Sequence, residues 1–315
     1  MKKFLRNAFR LLRPRQWIKN FAIFAAITFT GELFNPTAFT NVFIGFFILC
    51  GISSAIYVIN DIFDVKKDRL HPFKRFRPLA NGDISISLAI VIAIVLMTVS
   101  LLASFFLSPA FFLITIVYLL LQLSYSVTLK HIAVIDILAL AGGYILRVYA
   151  GEAVTGFHIS VWILLTTISL SLFLAIGKRR NELTLISGYT SAQIAATRKS
   201  LSHYSERLLD VYASIFATST FISYSLFSFF ENSRYNAITN DLLFPEYLPD
   251  YLNNRKWLMI TIIPVVYGLM RYLQDIYEKH EGESPEKVLL SDKPLLATVL
   301  IWILLVLLII YGIRK

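Results

Sequence analysis

Asn60-Asp61-Ile62-Phe63-Asp64-Val65-Lys66-Lys67-Asp68 follows directly on a long apolar run, residues 39–59, and leads into a strongly basic loop. A run of that length is enough to cross a bilayer, which takes about 20 mostly apolar residues. On a helix, Asn60, Asp64 and Asp68 are successive i,i+4 neighbours, and Asp61 lies within about a quarter-turn of them. Oxygen-bearing side chains therefore converge on one face at a membrane surface. Oxygen-only ligands suit Mg²⁺, which holds one or two carboxylates and fills its other positions with water and substrate phosphate. A solvated helix end would carry the same acids. The basic residues that crowd the same turn, with a membrane behind it, favour a metal–diphosphate site instead.

Composition agrees with a membrane protein. The chain of 315 residues is 57% hydrophobic and 16% charged, with a mean hydropathy of +0.65. A soluble domain of this size carries more charge. Working outward from residues 39–59, we read about nine spans: 17–30, 39–59, 84–107, 110–128, 134–150, 160–177, 208–230, 257–272 and 294–313. The first is short, and the fifth is interrupted by Gly142, Gly143 and Arg147. The expected fold is an all-α, polytopic helical bundle, organised as one integral membrane domain over residues 1–315.

The placement of charge orients the chain. Net charge is +10. With the N-terminus inside, the basic residues of the N-terminal segment and of the loops after the second, fourth, sixth and eighth spans all fall on the cytoplasmic side. The other side has only Arg234, Arg255, Lys256, Arg314 and Lys315. This positive-inside pattern places the N-terminus and the charge-dense loops in the cytoplasm and the C-terminus outside. Residues 1–15 read as a membrane-surface helix, with Lys and Arg toward headgroups and Phe4, Leu5, Phe9, Leu11 and Leu12 toward lipid. A single cysteine, Cys50, excludes an intrachain disulfide. Nucleic acid is not an expected partner, because the basic residues border membrane spans. A homo-oligomer is compatible with the sequence.

Chemistry gathers at the cytoplasmic face. After the acidic motif, Pro72 ends the helix, and Lys74, Arg75 and Arg77 can fold back over a phosphate. Arg binds phosphate through a planar fork and Lys as a point charge. Lys19 and Asn20 enter the first span from one face. Tyr125 and Lys130 stand at the end of the fourth span. Asp136, Gly143 and Arg147 share a stripe of the fifth. An intramembrane arginine normally faces a cavity or a partner, so Arg147 either pairs with Asp136 or Glu152 or receives an anionic headgroup. Ser171, Ala175, Lys178 and Glu182 share a face of the sixth, where Lys178–Glu182 is either a surface i,i+4 pair or part of a phosphate site. No second Asp-x-x-x-Asp cluster follows, so one metal group faces a cationic second half.

These motifs resemble the UbiA superfamily of intramembrane prenyltransferases. Within it, Arg13-Pro14-x-Gln16-Trp17-x-Lys19-Asn20 and Tyr57-x-x-Asn60-Asp61-x-x-Asp64-x-x-x-Asp68-Arg69-x-His71-Pro72-x-Lys74-Arg75-x-Arg77-Pro78 resemble the branch of decaprenyl-phosphate phosphoribosyltransferases. So do Tyr125-Ser126-x-x-Leu129-Lys130-His131, Leu146-Arg147 and Gly177-Lys178-Arg179-x-x-Glu182-Leu183, with weaker matches at Arg271-Tyr272 and Asp275.

The resemblance implies an Mg²⁺-dependent pentosyltransferase of the cell membrane, with its active site at the cytoplasmic face. It would move 5-phosphoribose from 5-phosphoribosyl 1-diphosphate to a polyprenyl phosphate. Asn60, Asp64, Asp61 and Asp68 are the expected metal group, with Asp64, Asp61 and Lys74 at the chemistry. Lys19, Tyr57, Lys74 and Arg77 are expected on the phosphoribosyl diphosphate. Lys130, Arg147 and Lys178 are expected on the lipid phosphate or the sugar phosphate. A prenyltransferase acting on an aromatic acceptor would need a second acidic cluster. A transporter would carry ion sites near mid-membrane in broken helices. The charges here cluster at one face.

Overall fold

The computed structural model describes residues 2–70, 74–185, 199–230, 257–279 and 285–312. Regular structure among them is entirely helical. The chain opens with α1 (Lys2–Leu11) and a 3₁₀ stretch (Pro14–Phe24) that runs into the short α2 (Ala25–Phe29). There follow α3 (Pro36–Leu70), α4 (Ile86–Leu107), α5 (Pro109–Val127) and α6 (Ile135–Thr155). Next come α7 (Val161–Leu185), α8 (Glu206–Phe230), α9 (Ile262–Gln274), α10 (Pro285–Ser291) and α11 (Lys293–Leu307). A 3₁₀ turn, Trp257–Thr261, leads into α9, and π-helical turns, Asp275–Lys279 and Leu308–Gly312, extend α9 and α11.

Eight helices among the described residues are long and apolar enough to cross a membrane. They coincide with the second to ninth expected spans. The first expected span is where the structure differs: residues 14–29 are mostly 3₁₀ helix. A 3₁₀ helix rises about 2.0 Å per residue, against about 1.5 Å in an α-helix. A short sequence therefore reaches further than its length suggests.

Local rules set the helix ends. Ser85 caps α4 by accepting from the Leu88 N–H at 3.3 Å, and Ser108 caps α5 by accepting from the Phe111 N–H at 3.4 Å. Pro109 stands at the start of α5, where its missing N–H costs nothing. Large side chains on the outer faces of α4 and α5 stay exposed, Phe106 at 82%. In water such a surface would aggregate; in a bilayer it faces lipid.

The chain forms two compact units. The first comprises Met1–Ile27, Glu32–Leu129 and Leu146–Phe157. Its core joins Ile23, Val42, Leu49, Phe111 and Val154, with a second cluster of Leu11, Val58, Val65, Leu79 and Ile84. Leu11 is fully buried there, which corrects the expectation that it faces lipid. Ala8 and Leu11 of α1 dock on α3 while Phe9 stays exposed, and the Phe4 and Leu5 side chains lie outside the described residues. Two glycines allow close crossings. A Cβ on Gly51 would lie 2.2 Å from Ser100 Oγ, and one on Gly151 would lie 2.0 Å from the Ile23 carbonyl oxygen. Helices in lipid gain from such approaches through packing alone.

The second unit comprises Thr28–Gly31, Lys130–Ile145 and His158–Lys315. Phe173, Ile176, Leu209, Tyr272 and Leu295 form one cluster, and Tyr224, Phe227, Leu258 and Val306 another. α7 and α8 meet through small polar residues, with Ser169 Oγ and Ser219 Oγ 2.8 Å apart.

Candidate active site

The acidic motif occupies the last turns of α3, a helix of 35 residues. A bilayer core of about 30 Å uses only about 20 of them. At about 100° per residue, the motif splits into two edges. Asn60 and Asp64 lie about 40° apart, and Asp61 and Asp68 about 20° apart.

The two edges have different surroundings. Asp61 and Asp68 are buried. Arg77 Nη1 donates to Asp61 Oδ1 at 3.1 Å and to Asp68 Oδ2 at 2.6 Å. Arg13 Nη2 donates to the same Asp61 oxygen. Asn60 and Asp64 are half-buried and hydrogen-bond to no described side chain. Among the described residues no three His, Cys, Asp or Glu side chains converge as metal ligands. The residues still fit Mg²⁺: a carboxylate and an amide oxygen, both half-buried and not engaged by described side chains, suit an ion that completes its shell with water and phosphate. The carboxylates of the other edge are already engaged by arginine.

The segment before the first 3₁₀ stretch packs along this helix. Arg13 adopts the left-handed conformation, φ 52° and ψ 59°. That is unusual for a non-glycine residue and for one that precedes proline. Its guanidinium lies over the Tyr57 ring, 5.1 Å from the centroid. Tyr57 donates its hydroxyl to Gln16 Oε1 at 3.1 Å. Trp17 Nε1 donates to Ser54 Oγ at 3.0 Å, and Ser54 donates on to the Leu12 carbonyl at 2.9 Å.

Deeper in the same unit, Asn20 and Arg147 form a buried polar centre. Arg147 Nε donates to Asn20 Oδ1 at 2.7 Å, and Nη2 donates to the Tyr118 hydroxyl at 2.5 Å. Asn20 Nδ2 reaches Ser53 Oγ and Cys50 Sγ, each at 3.2 Å. Lys19 and Tyr57 are within electrostatic reach of the Tyr118 hydroxyl. The first unit thus gathers Lys19, Tyr57, Asn60, Asp61, Asp64, Asp68, Arg77 and Arg147. Lys74 opens a short 3₁₀ turn, Lys74–Phe76, in the same unit, and its side chain lies outside the described residues. His71, Pro72 and Phe73 lie outside them too.

Lys130 and Lys178 belong to the second unit, each half-buried. Asp136 is the polar centre of that unit and is fully buried. Its Oδ2 lies 2.7 Å from Arg179 Nε and accepts from Ser200 Oγ at 3.0 Å, while its Oδ1 accepts from Tyr204 at 2.7 Å. Burial, and the hydrogen bond it donates to Asp136, push the Tyr204 hydroxyl well up. Asp136 therefore pairs with Arg179, so of the alternatives open for Arg147 the pair with Asp136 is not the one found. Glu182 accepts from Arg179 Nη1 at 2.5 Å, a contact that the surface-pair alternative of Lys178–Glu182 did not include. Arg13 on Asp61 and Arg179 on Asp136 are contacts that the sequence did not single out. Arg13 stands in the Arg-Pro-x-Gln-Trp motif, which was its signal; Asp136 and Arg179 are too far apart in sequence for any helical spacing to link them.

Comparison with known proteins agrees with this architecture. The sequence model of the UbiA prenyltransferase family matches residues 21–232. The decaprenyl-phosphate phosphoribosyltransferase of Corynebacterium glutamicum is 34% identical over 306 residues, covering 96% of this chain and 86% of that protein. The protein of the same name from Mycolicibacterium smegmatis is 35% identical, covering 96% of this chain and 92% of its own. A UbiA homologue from Archaeoglobus fulgidus, solved with GPP and Mg²⁺, superposes with a TM-score of 0.66 at 19% identity, covering 98% of this chain and 99% of that one. The match extends over more than half of the chain, and the protein is a membrane-spanning transferase that belongs to the UbiA prenyltransferase family.

Proposed function

We propose that this enzyme transfers 5-phosphoribose from 5-phosphoribosyl 1-diphosphate to a polyprenyl phosphate. The observation that supports it most is the likeness, along almost the whole chain, to relatives named for that transfer. The geometry is compatible: one acidic stripe with an open edge, flanked by arginines, suits a single diphosphate. The cell membrane is the proposed location, with the N-terminus and the basic loops in the cytoplasm, as the distribution of Lys and Arg favours.

In the proposed reaction a phosphate oxygen of the lipid attacks C1 of the ribose. The C1–O bond to diphosphate breaks, and diphosphate leaves with the electron pair. The acceptor is already anionic, so no strong base is needed. Asn60 and Asp64 would hold Mg²⁺, with Asp61 and Asp68 behind them; the ion would neutralise charge on the departing diphosphate. Lys19, Tyr57, Lys74 and Arg77 bind the donor and orient its diphosphate. Lys130, Arg147 and Lys178 bind the lipid phosphate or the sugar 5-phosphate. Fixed cations aimed at a developing charge lower the barrier without reorganising during the reaction.

Purified protein would be incubated with radiolabelled phosphoribosyl diphosphate, Mg²⁺ and a polyprenyl phosphate, then extracted with organic solvent. Label is expected in the lipid phase, carrying the ribose 5-phosphate. Incorporation of a labelled isoprenyl diphosphate into an aromatic acid, with no label transferred from phosphoribosyl diphosphate, would replace this reading with prenyl transfer.

A further inference from the structure

We propose that Arg13 binds the leaving diphosphate, and that Asp61 serves as the holder of Arg13 and is not a metal ligand. The inference rests on the reading above only in needing a donor that releases diphosphate.

Three observations carry it. First, the Asp61 carboxylate is already compensated: its side chain is 4% exposed, and one oxygen takes both Arg13 and Arg77. A divalent cation there would meet two guanidinium charges at hydrogen-bond range. Asn60 and Asp64 present no such conflict.

Second, the arginines lie on the open side of the acids. The Arg13 and Arg77 side chains are 26% and 28% exposed, while those of Asp61 and Asp68 are 4% and 5% exposed. Each guanidinium uses one nitrogen on the carboxylates, Nη2 of Arg13 and Nη1 of Arg77. The remaining N–H groups hydrogen-bond to no described residue. Guanidinium carries five donors in a fixed fork that matches phosphate.

Third, Arg13 is held between two partners on a fixed backbone. Asp61 takes one edge, the Tyr57 ring supports the plane at 5.1 Å, and the backbone is left-handed. A left-handed conformation is strained for a non-glycine residue and persists where surrounding structure imposes it, often at functional sites. A guanidinium so fixed loses little freedom on meeting an anion.

The test uses the full-length protein in detergent and calorimetric binding of inorganic diphosphate at several Mg²⁺ concentrations. Arg13→Lys and Asp61→Asn are expected to weaken diphosphate binding on the order of tenfold or more, without moving its Mg²⁺ dependence. Asp64→Asn is expected to shift the Mg²⁺ dependence itself. Unchanged diphosphate affinity in Arg13→Lys would overturn the proposal. So would a shift in Mg²⁺ dependence for Asp61→Asn equal to that of Asp64→Asn. Arg13→Lys keeps the charge, so the test survives if Arg13→Ala does not fold. Binding is read without turnover: failure of phosphoribosyl transfer in the wild type would sink the function reading and leave the Arg13 result intact.

Discussion

Arg179 and Asp136 form an ion pair in which neither side chain is exposed, with Nε 2.7 Å from Oδ2. Breaking such a pair leaves a buried charge without its counterion, at a cost of about 3–5 kcal/mol. Arg179→Met should therefore lower the thermal midpoint in detergent markedly. Adding Asp136→Asn to that variant should recover part of the loss, because the stranded charge is gone. A double variant no more stable than the single one would show that shape, not charge, makes this contact matter.

Asp64→Ala and Asn60→Ala should each lower turnover on the order of 10²-fold or more, as removal of charge-stabilising groups does elsewhere. Stability should hold, because neither side chain hydrogen-bonds to a described residue. Rates near wild type in Mg²⁺ buffer stripped of other metals would remove these residues from the metal group.

Arg147→Lys keeps the charge and loses the fork that reaches Asn20 and Tyr118. If the guanidinium also meets the lipid phosphate, the KM for polyprenyl phosphate should rise while that for the phosphoribosyl donor stays put. A purely structural Arg147 would instead show lower yield and thermal stability, with both constants unchanged in the protein that folds.

Gly151→Ala should destabilise the first unit by about 1–3 kcal/mol or more, as overpacking does. The new methyl would lie 2.0 Å from the backbone oxygen of Ile23, which cannot swing aside like a side chain. Gly82→Ala meets nothing within 4 Å, but its φ of +81° disfavours any Cβ, so only a conformational cost of about 1–2 kcal/mol is expected. Thermal midpoints of the two variants should fall in that order.

Much of this protein was legible in its sequence because the deciding forces are local. Eight spans are set by runs of apolar residues, and the bilayer demands that each close its own backbone hydrogen bonds within a helix. The shared stripe of Asn60, Asp64 and Asp68 needs only the helical period. The family likeness likewise lay in short motifs with fixed spacings.

Tertiary structure decided the partners. Nothing in the period of α3 says that Asp61 and Asp68 face arginines while Asn60 and Asp64 do not; the paths of Arg13 and Arg77 around the helix settle that. The same holds for Arg147, whose stripe on the fifth span left its partner open and which is found on Asn20, more than a hundred positions away in the chain. Hydropathy and periodicity act along one segment, so the sequence displays them directly. An ion pair or a buried hydrogen bond depends on where distant backbones cross, and those crossings are set by packing, as Gly151 against Ile23 shows.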